Sequence, residues 1–317
     1  YLNPKAFTGF ARQSRNIIWF QKDSIPRFQL AKDQFAQPQI VALITGEDAE
    51  VQAFSFEENA QLLRQTLAEN ERKEKLRRIN KSPTTDTNLD NRFGIHLTYP
   101  SAYKTVQDTT NFVWIQKQIQ KGHLNLIAYT LPEGVLEGRF NEKILTIRDS
   151  IGKLYVPGRL PGSYLITERA FRPYFFSVSL DGKPGYLTKG TWEVANDFMA
   201  GPFVNYMLRD SVKKRWIVVE GFAFAPSVSK REYMFELNTI LSTFKELNKS
   251  FFSLSTFGVS SSSLVAFLNS LIPLPNPFIS SGILRPPKSK RTTAMIKIIC
   301  GAPIIPKNVK TNMICHI

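Results

Sequence analysis

Between Tyr174 and Val194 the chain carries the pattern that most restricts its fold. Tyr174, Phe176, Val178 and Leu180 alternate up to Asp181-Gly182-Lys183-Pro184-Gly185, and the chain returns through Tyr186 to Val194. A period of two puts one set of side chains on one face of an extended segment, and the Asp-Gly step supplies the left-handed backbone of a tight turn. The stretch therefore predicts an antiparallel hairpin.

Other segments extend the pattern. Asn16 to Phe20 and Ile40 to Thr45 are short apolar runs between polar or turn residues and read as strands, as do Phe112 to Ile119, Leu124 to Thr130 and Arg215 to Ala225. Phe93, Ile95, Leu97 and Tyr99 alternate with Gly94, His96 and Thr98, which predicts a strand with His96 off the core face. Helical spacing appears in Phe56, Ala60, Leu63 and Leu67, in Phe140, Ile144, Ile147, Ile151 and Leu154, and in Tyr233, Leu237, Ile240, Leu241, Phe244 and Leu247. Ser55 with Glu58, and Ser229 with Glu232, have the capping-box spacing and predict two helix starts. Hairpins and meanders interrupted by separate helices predict an α+β fold: antiparallel sheets with packed helices, as two α/β sandwich-like subdomains plus an irregular C-terminal tail. The expected organisation is a subdomain at 1–85, a domain at 90–249 and the tail at 250–317, with the polar stretch Asn80 to Asn91 as linker.

Composition separates the tail. All 26 acidic residues of the 317 precede residue 251, and at their frequency in the first 250 residues such a gap arises below about once in a thousand draws. A wrong reading frame or misassembled gene end explains this, with a genuine basic tail as the competing account, and either predicts that 250–317 stands outside the fold. The tail also supplies seven unopposed cations of the formal charge of +15. What remains is spread in mixed-sign clusters such as Glu69 to Arg78, which mark a solvated helix face, so no nucleic-acid partner is expected. The uncharged run Ser250 to Leu284 is broken by four consecutive serines and three prolines and makes a poor membrane span. Two cysteines exclude a disulfide scaffold; Cys300 and Cys315 could close a loop but lie in the tail. The chain begins at Tyr1 with no signal sequence in view.

Phosphate-loop, His-Glu-x-x-His and Gly-x-Ser-x-Gly motifs are absent, and three histidines offer little for a metal, so neither metal nor cofactor is expected. Trp192 adjoins Glu193, Asn196, Asp197 and a Gly201-Pro202 turn. That combination of aromatic, polar groups and stiff backbone reads as a binding loop, although an Asx-turn at Asn196 or Asp197 explains the same letters. Asp149, Glu168, Glu193, Asp197 and Glu220 are the acids from which a hydrolase could draw two carboxylates. Glu220 shares a strand face with Trp216, Val218, Phe222 and Phe224, so it should be buried and paired, with Arg148 and Arg231 as candidate partners. Candidate ligand contacts are thus Trp192, Glu193, Asn196, Asp197, Phe203, Glu220, Arg148 and Arg231.

Particular residue runs carry a family resemblance. Arg15-Asn16-Ile17-Ile18, Phe93-Gly94-Ile95, Tyr99-Pro100 and Asn111-Phe112-Val113-Trp114 begin it. Arg148-Asp149-Ser150, Val156-Pro157-Gly158, Gly190 to Val194, Asn196 to Phe203, Glu220-Gly221-Phe222 and Lys230 to Tyr233 continue it more densely. Over roughly residues 10–247 these resemble the Bacteroidota envelope lipoproteins known as domain of unknown function 4837; the tail matches nothing in that family. The last 150 or so matched residues, from an opening strand ending in Tyr99-Pro100 to a closing helix ending near Ser242-Thr243-Phe244, are also similar to small α/β sandwich modules of the photosystem-II oxygen-evolving type. The resemblance implies an exported, periplasm-facing protein of the cell envelope, held by a lipidated Cys that this chain lacks, and brings no catalytic residue with it. The resulting expectation is a non-catalytic module binding an envelope protein or glycan, with an envelope hydrolase as the alternative.

Overall fold

The structure, a computed structural model, describes residues 6–136, 140–247 and 294–298. It divides into two compact units, one built on the chain up to Glu74 together with Ala294–Ile298, the other running from Lys75 to Leu247. The division falls within a helix and ahead of the expected linker; of that stretch, Asn88 to Asn91 are already helical.

In the smaller unit a short helix α1 (Gly9–Arg12) precedes β1 (Asn16–Lys22), β2 (Arg27–Lys32) and β3 (Ile40–Gly46), followed by α2 (Ala49–Glu58) and α3 (Ala60–Ile79). Strand β3 lies between β1, to which it is parallel, and β2, to which it is antiparallel. Both faces of this sheet are covered. Ile17 and Val41 pack with Phe7 on one side, while Ile18, Ala42, Ile44 and Leu63 pack on the other. Double coverage explains why Ile40 to Thr45 reads as an unbroken apolar run. Strand β2 went unread because its pattern, Arg27-Phe28-Gln29-Leu30-Ala31-Lys32, is largely exposed.

The expected helix start at Ser55 is displaced. Asp48 is the N-cap of α2, its carboxylate accepting from the Val51 N–H at 2.9 Å, and Ser55 lies inside that helix. Asn59 interrupts the run, and its side-chain amide donates to the Ser55 carbonyl at 2.8 Å. The pattern Ser-x-x-Glu recurs wherever helix surfaces are polar, so only backbone geometry distinguishes a cap from an interior turn.

The larger unit contains α4 (Asn88–Phe93), β4 (Ile95–His96), β5 (Lys104–Asp108), β6 (Phe112–Ile119), β7 (Gly122–Pro132), α5 (Phe140–Tyr155), β8 (Tyr164–Thr167), β9 (Tyr174–Leu180), β10 (Lys183–Ala195), β11 (Asp197–Asp210), β12 (Arg215–Phe224), α6 (Arg231–Leu241) and β13 (Lys245–Glu246). Its main sheet runs β5-β6-β7-β12-β11-β10-β8, antiparallel throughout, with β9 paired to β10. Helix α5 covers one face through Ile144, against Phe112, Ile127, Trp192, Phe203 and Phe222. Helix α6 covers the other through Leu237, Ile240 and Leu241, against Leu126, Val204, Ile217 and Val219. The α+β class and the antiparallel sheet with packed helices are as the alternation predicts.

Two local expectations change. Phe93 closes α4 in place of opening a strand: Gly94 takes φ 67° as a left-handed C-cap, and only Ile95 and His96 pair as strand. Phe93, Ile95, Leu97 and Tyr99 are nevertheless all buried. Ser229 does not cap α6, since the helix begins at Arg231 after Lys230, which makes no side-chain cap. In the tail, β14 (Ala294–Ile298) runs antiparallel beside β1. Cys300, Cys315 and His316 lie outside the described residues.

Leu237 is fully buried where α6 crosses β12, over the Gly221 backbone. Leu237→Ala should cost about 2–5 kcal/mol in urea unfolding, and Leu154→Ala, at an exposed helix position, less than about 0.5 kcal/mol.

Candidate functional site

Alternation along β12 turns Glu220 toward α5, where its side chain is wholly buried. A carboxylate there requires a cation. Arg148, from the inner face of α5, supplies it: Nη2 donates to Oε1 at 2.8 Å, and Nε lies 3.1 and 3.0 Å from the two oxygens. Asn205, directly opposite Glu220 on β11, donates its amide to Oε2 at 2.8 Å. The guanidinium lies over the Phe203 ring, 3.8 Å from its centroid, a cation–π contact strengthened by exclusion of water.

The network continues outward. Arg148 Nη1 donates to Thr167 Oγ1 at 3.0 Å, and that hydroxyl donates to Asp149 Oδ1 at 2.6 Å. The Thr167 backbone N–H reaches the same oxygen at 2.7 Å, and Arg169 closes the chain on Oδ2 at the surface. Charges alternate from Glu220 through Arg148 and Asp149 to Arg169, so the buried part is neutral as a unit. Near it the Tyr129 phenol is pushed far up, first by burial and then by the Glu220 charge, which outweigh Arg148. Tyr129 therefore stays protonated.

The eight sequence candidates separate in space. Arg148, Phe203 and Glu220 form the network just described. Trp192 packs edge-on against Phe222 and against Gly201, where an added Cβ would meet Nε1 at 3.0 Å and the Ala223 carbonyl oxygen at a closer, forbidden distance. It is a core residue. The segment expected as a loop, Trp192 to Phe203, is the end of β10, a turn and the start of β11. Asn196 takes φ 65° at that turn, and Asp197 Oδ1 accepts from the Phe198 N–H at 2.8 Å. Arg159 grips Asp197 through Nε and Nη2 at 2.8 and 2.9 Å and holds its carboxyl below the usual range. Glu193 is held above its usual value, first by partial burial and then by the Glu168 charge. Arg231 is exposed at the start of α6 on the opposite face, so Glu220 takes Arg148 alone of its two proposed partners.

Sequence reasoning missed Asn205, Thr167 and Arg159. The first two lie in strands whose positions relative to Glu220 and Arg148 are set by pairing, and nothing in their local sequence announces it. His96 lies with Nδ1 3.2 Å from Asp90, and His123, neutral in character because burial lowers it, accepts from the Asn125 amide at 2.9 Å. Among the described residues no three His, Cys, Asp or Glu side chains converge as metal ligands. A concavity of about 440 Å³ in the smaller unit is lined by charges of both signs, including Lys32, Asp33, Glu69 and Lys73.

Residues 82–243, just over half of the chain, fit the model described as Domain of unknown function (DUF4837). The chain belongs to that family. The matched span includes Arg148, Thr167, Asn205 and Glu220 and every strand of the large sheet. Residues 1–80 fit a different model, Domain of unknown function (DUF8532), so the resemblance read over residues 10–247 covers two families. No curated protein matches. Among solved structures the chain is similar to the Saccharomyces cerevisiae Ran-binding protein Mog1p, at 11% identity and TM-score 0.31, over 50% of this chain and 94% of that one. It is also similar to LpqN, involved in cell envelope biogenesis of Mycobacterium tuberculosis, at 14% identity and TM-score 0.30, over 48% and 82% of the two chains.

Glu220→Ala should cost about 3–5 kcal/mol in chemical unfolding, because it strands the Arg148 cation, whereas replacing both partners with apolar residues of similar volume should recover much of the loss. A second outcome concerns acid. Burial alone would raise Asp210, but the hydrogen bond from Arg215 Nε at 3.0 Å, the Lys213 N–H and the Lys183 charge together bring it below its ordinary 3.8. The stability it contributes is present above pH 3.8 and is lost as pH falls through the lower folded value; Asp210→Asn should reduce that acid dependence in unfolding titrations.

Proposed function

We propose that this chain is a non-catalytic binding module of the cell envelope, and that the β10–β11 turn contacts its partner, an envelope protein or glycan. The observation that carries this reading is Phe198. Its side chain is fully exposed in β11 where the pairing with β10 shifts register just after the turn, two residues from a left-handed Asn196 and next to an Asp197 clamped by Arg159. An aromatic presented on a stiff turn loses little conformational freedom on binding, and such residues dominate recognition energetics. Of the sequence candidates, exposed Asn196 and half-buried Glu193 flank it, while the Asp197 carboxylate is covered by Arg159. The envelope location rests on the resemblance to exported lipoproteins; among the described residues no helix is long and apolar enough to cross a membrane.

Engagement of the acids supports binding over catalysis. Glu220 and Asp149 are tied into the buried network, and Asp197 into the turn. A hydrolase reading falls on Glu193 with Glu168, whose charges interact. In that case Glu168→Gln would abolish turnover of an envelope glycan, while the binding reading leaves capture intact in the same variant.

Phe198→Ala should lower retention of envelope components on the immobilised full chain by more than about tenfold, with the thermal midpoint unchanged because the side chain touches no core. Equal retention by the variant would exclude the turn as the contact.

A further inference from the structure

Strand β9, Tyr174-Phe175-Phe176-Ser177-Val178-Ser179-Leu180, contains no charge and no proline. It pairs with β10 on one side, and among the described residues no strand pairs with its other side. Exposed strand edges are normally blunted by Lys, Pro or a bulge, because their free N–H and C=O groups template further pairing. This one runs in unbroken register from Leu180↔Lys183 to Tyr174↔Lys189. Tyr174 and Phe176 stay 59% and 48% exposed on the face where Val178 and Leu180 join the α6-side core.

Hairpin geometry decides which backbone groups point outward. Asp181 and Gly182 have φ 50° and 72°, the two-residue turn whose flanking residues exchange hydrogen bonds. Counting back from Leu180, the backbone groups of Leu180, Val178, Phe176 and Tyr174 face β10, and those of Ser179, Ser177 and Phe175 face away.

We propose that β9 pairs antiparallel with β9 of a second copy of this chain, about a two-fold axis at Ser177, so that the sheet continues across a dimer. The ends of the strand select this occupant. Arg172 and Asp181 flank it, both exposed. Asp181 Oδ2 accepts from the Glu246 N–H at 2.8 Å, leaving Oδ1 for a cation, and neither residue belongs to a salt bridge among the described residues. With Ser177 opposite its own counterpart, Phe175 faces Ser179 of the other copy through backbone hydrogen bonds. On the α6-side face Tyr174 meets Leu180 and Phe176 meets Val178, which covers both exposed rings. Pro173 then faces Asp181, which sets Arg172 of each copy beside Asp181 of the other, at both ends of the seam. The same patch is thus its own complement in charge and shape, as a two-fold interface requires.

Sedimentation velocity of the full chain over a concentration series tests this. The wild type should sediment as a dimer. Ser177→Pro removes an outward N–H while leaving the bonds to β10, and should give a monomer with unchanged circular dichroism. Arg172→Glu, an exposed change outside the strand that keeps the fold if Ser177→Pro does not, should raise the dimer dissociation constant at least tenfold. A wild type that stays monomeric throughout, or a dimer unaffected by Arg172→Glu, overturns the proposal.

Discussion

The ion pair of Arg148 with Glu220 is the constraint on which the larger unit depends. Both side chains are out of water, and a buried charge without its counter-charge is far more costly than the pair. The pair therefore fixes which face of β12 meets α5 and how α5 is rotated. A one-residue slip of β12 would send Glu220 to the α6 face, among Leu237, Ile240 and Leu241, where the core is apolar. Asn205 adds a second check, because it reaches the carboxylate only when β11 and β12 pair with Asn205 opposite Glu220. One polar contact thus specifies helix orientation and the register of two central strands.

Satisfying these charges so fully has a functional consequence. Glu220 has three donor groups from Arg148 and Asn205, Arg148 is further tied to Thr167, and Phe203 covers the guanidinium. This buried polar network is therefore closed to solutes, and recognition falls to the periphery. Strand β10 connects the two peripheral features: its first half pairs with the inner side of β9, whose other side is free among the described residues, and its last residues lead into the turn before Phe198. A rigid interior is what allows both to be presented in one conformation.

Much of this was legible in the sequence where the signal is local. Period-two alternation located β9, β10 and β12, short apolar runs located β6 and β7, and helical spacing located α5 and α6. Alternation also put Glu220 on the buried face and named Arg148 as a partner. Elsewhere local letters misled. Asn196, Asp197, Gly201 and Pro202 read as a loop, yet Gly201 is small because β11 presses close to the Ala223 carbonyl, and Pro202 precedes the pairing with β12 that begins at Phe203↔Phe222. Both residues serve strand packing. The two capping boxes failed for a related reason: a Ser and a Glu three apart are compatible with a helix interior, and the chain's entry direction decides.

The sequence by itself determined the class of the fold, the antiparallel character of its large sheet, the face on which Glu220 is buried and the compositional break at residue 251. Each of these depends on residues within a few positions of one another, or on counting them. Only the tertiary structure decided that Arg148 and not Arg231 neutralises Glu220, that Asn205 and Thr167 complete the network, that Trp192 is core, and that β9 lies at an edge. Those facts join residues from 15 to 72 positions apart. Strand order and helix rotation bring them together, and these are set by the summed burial of two cores.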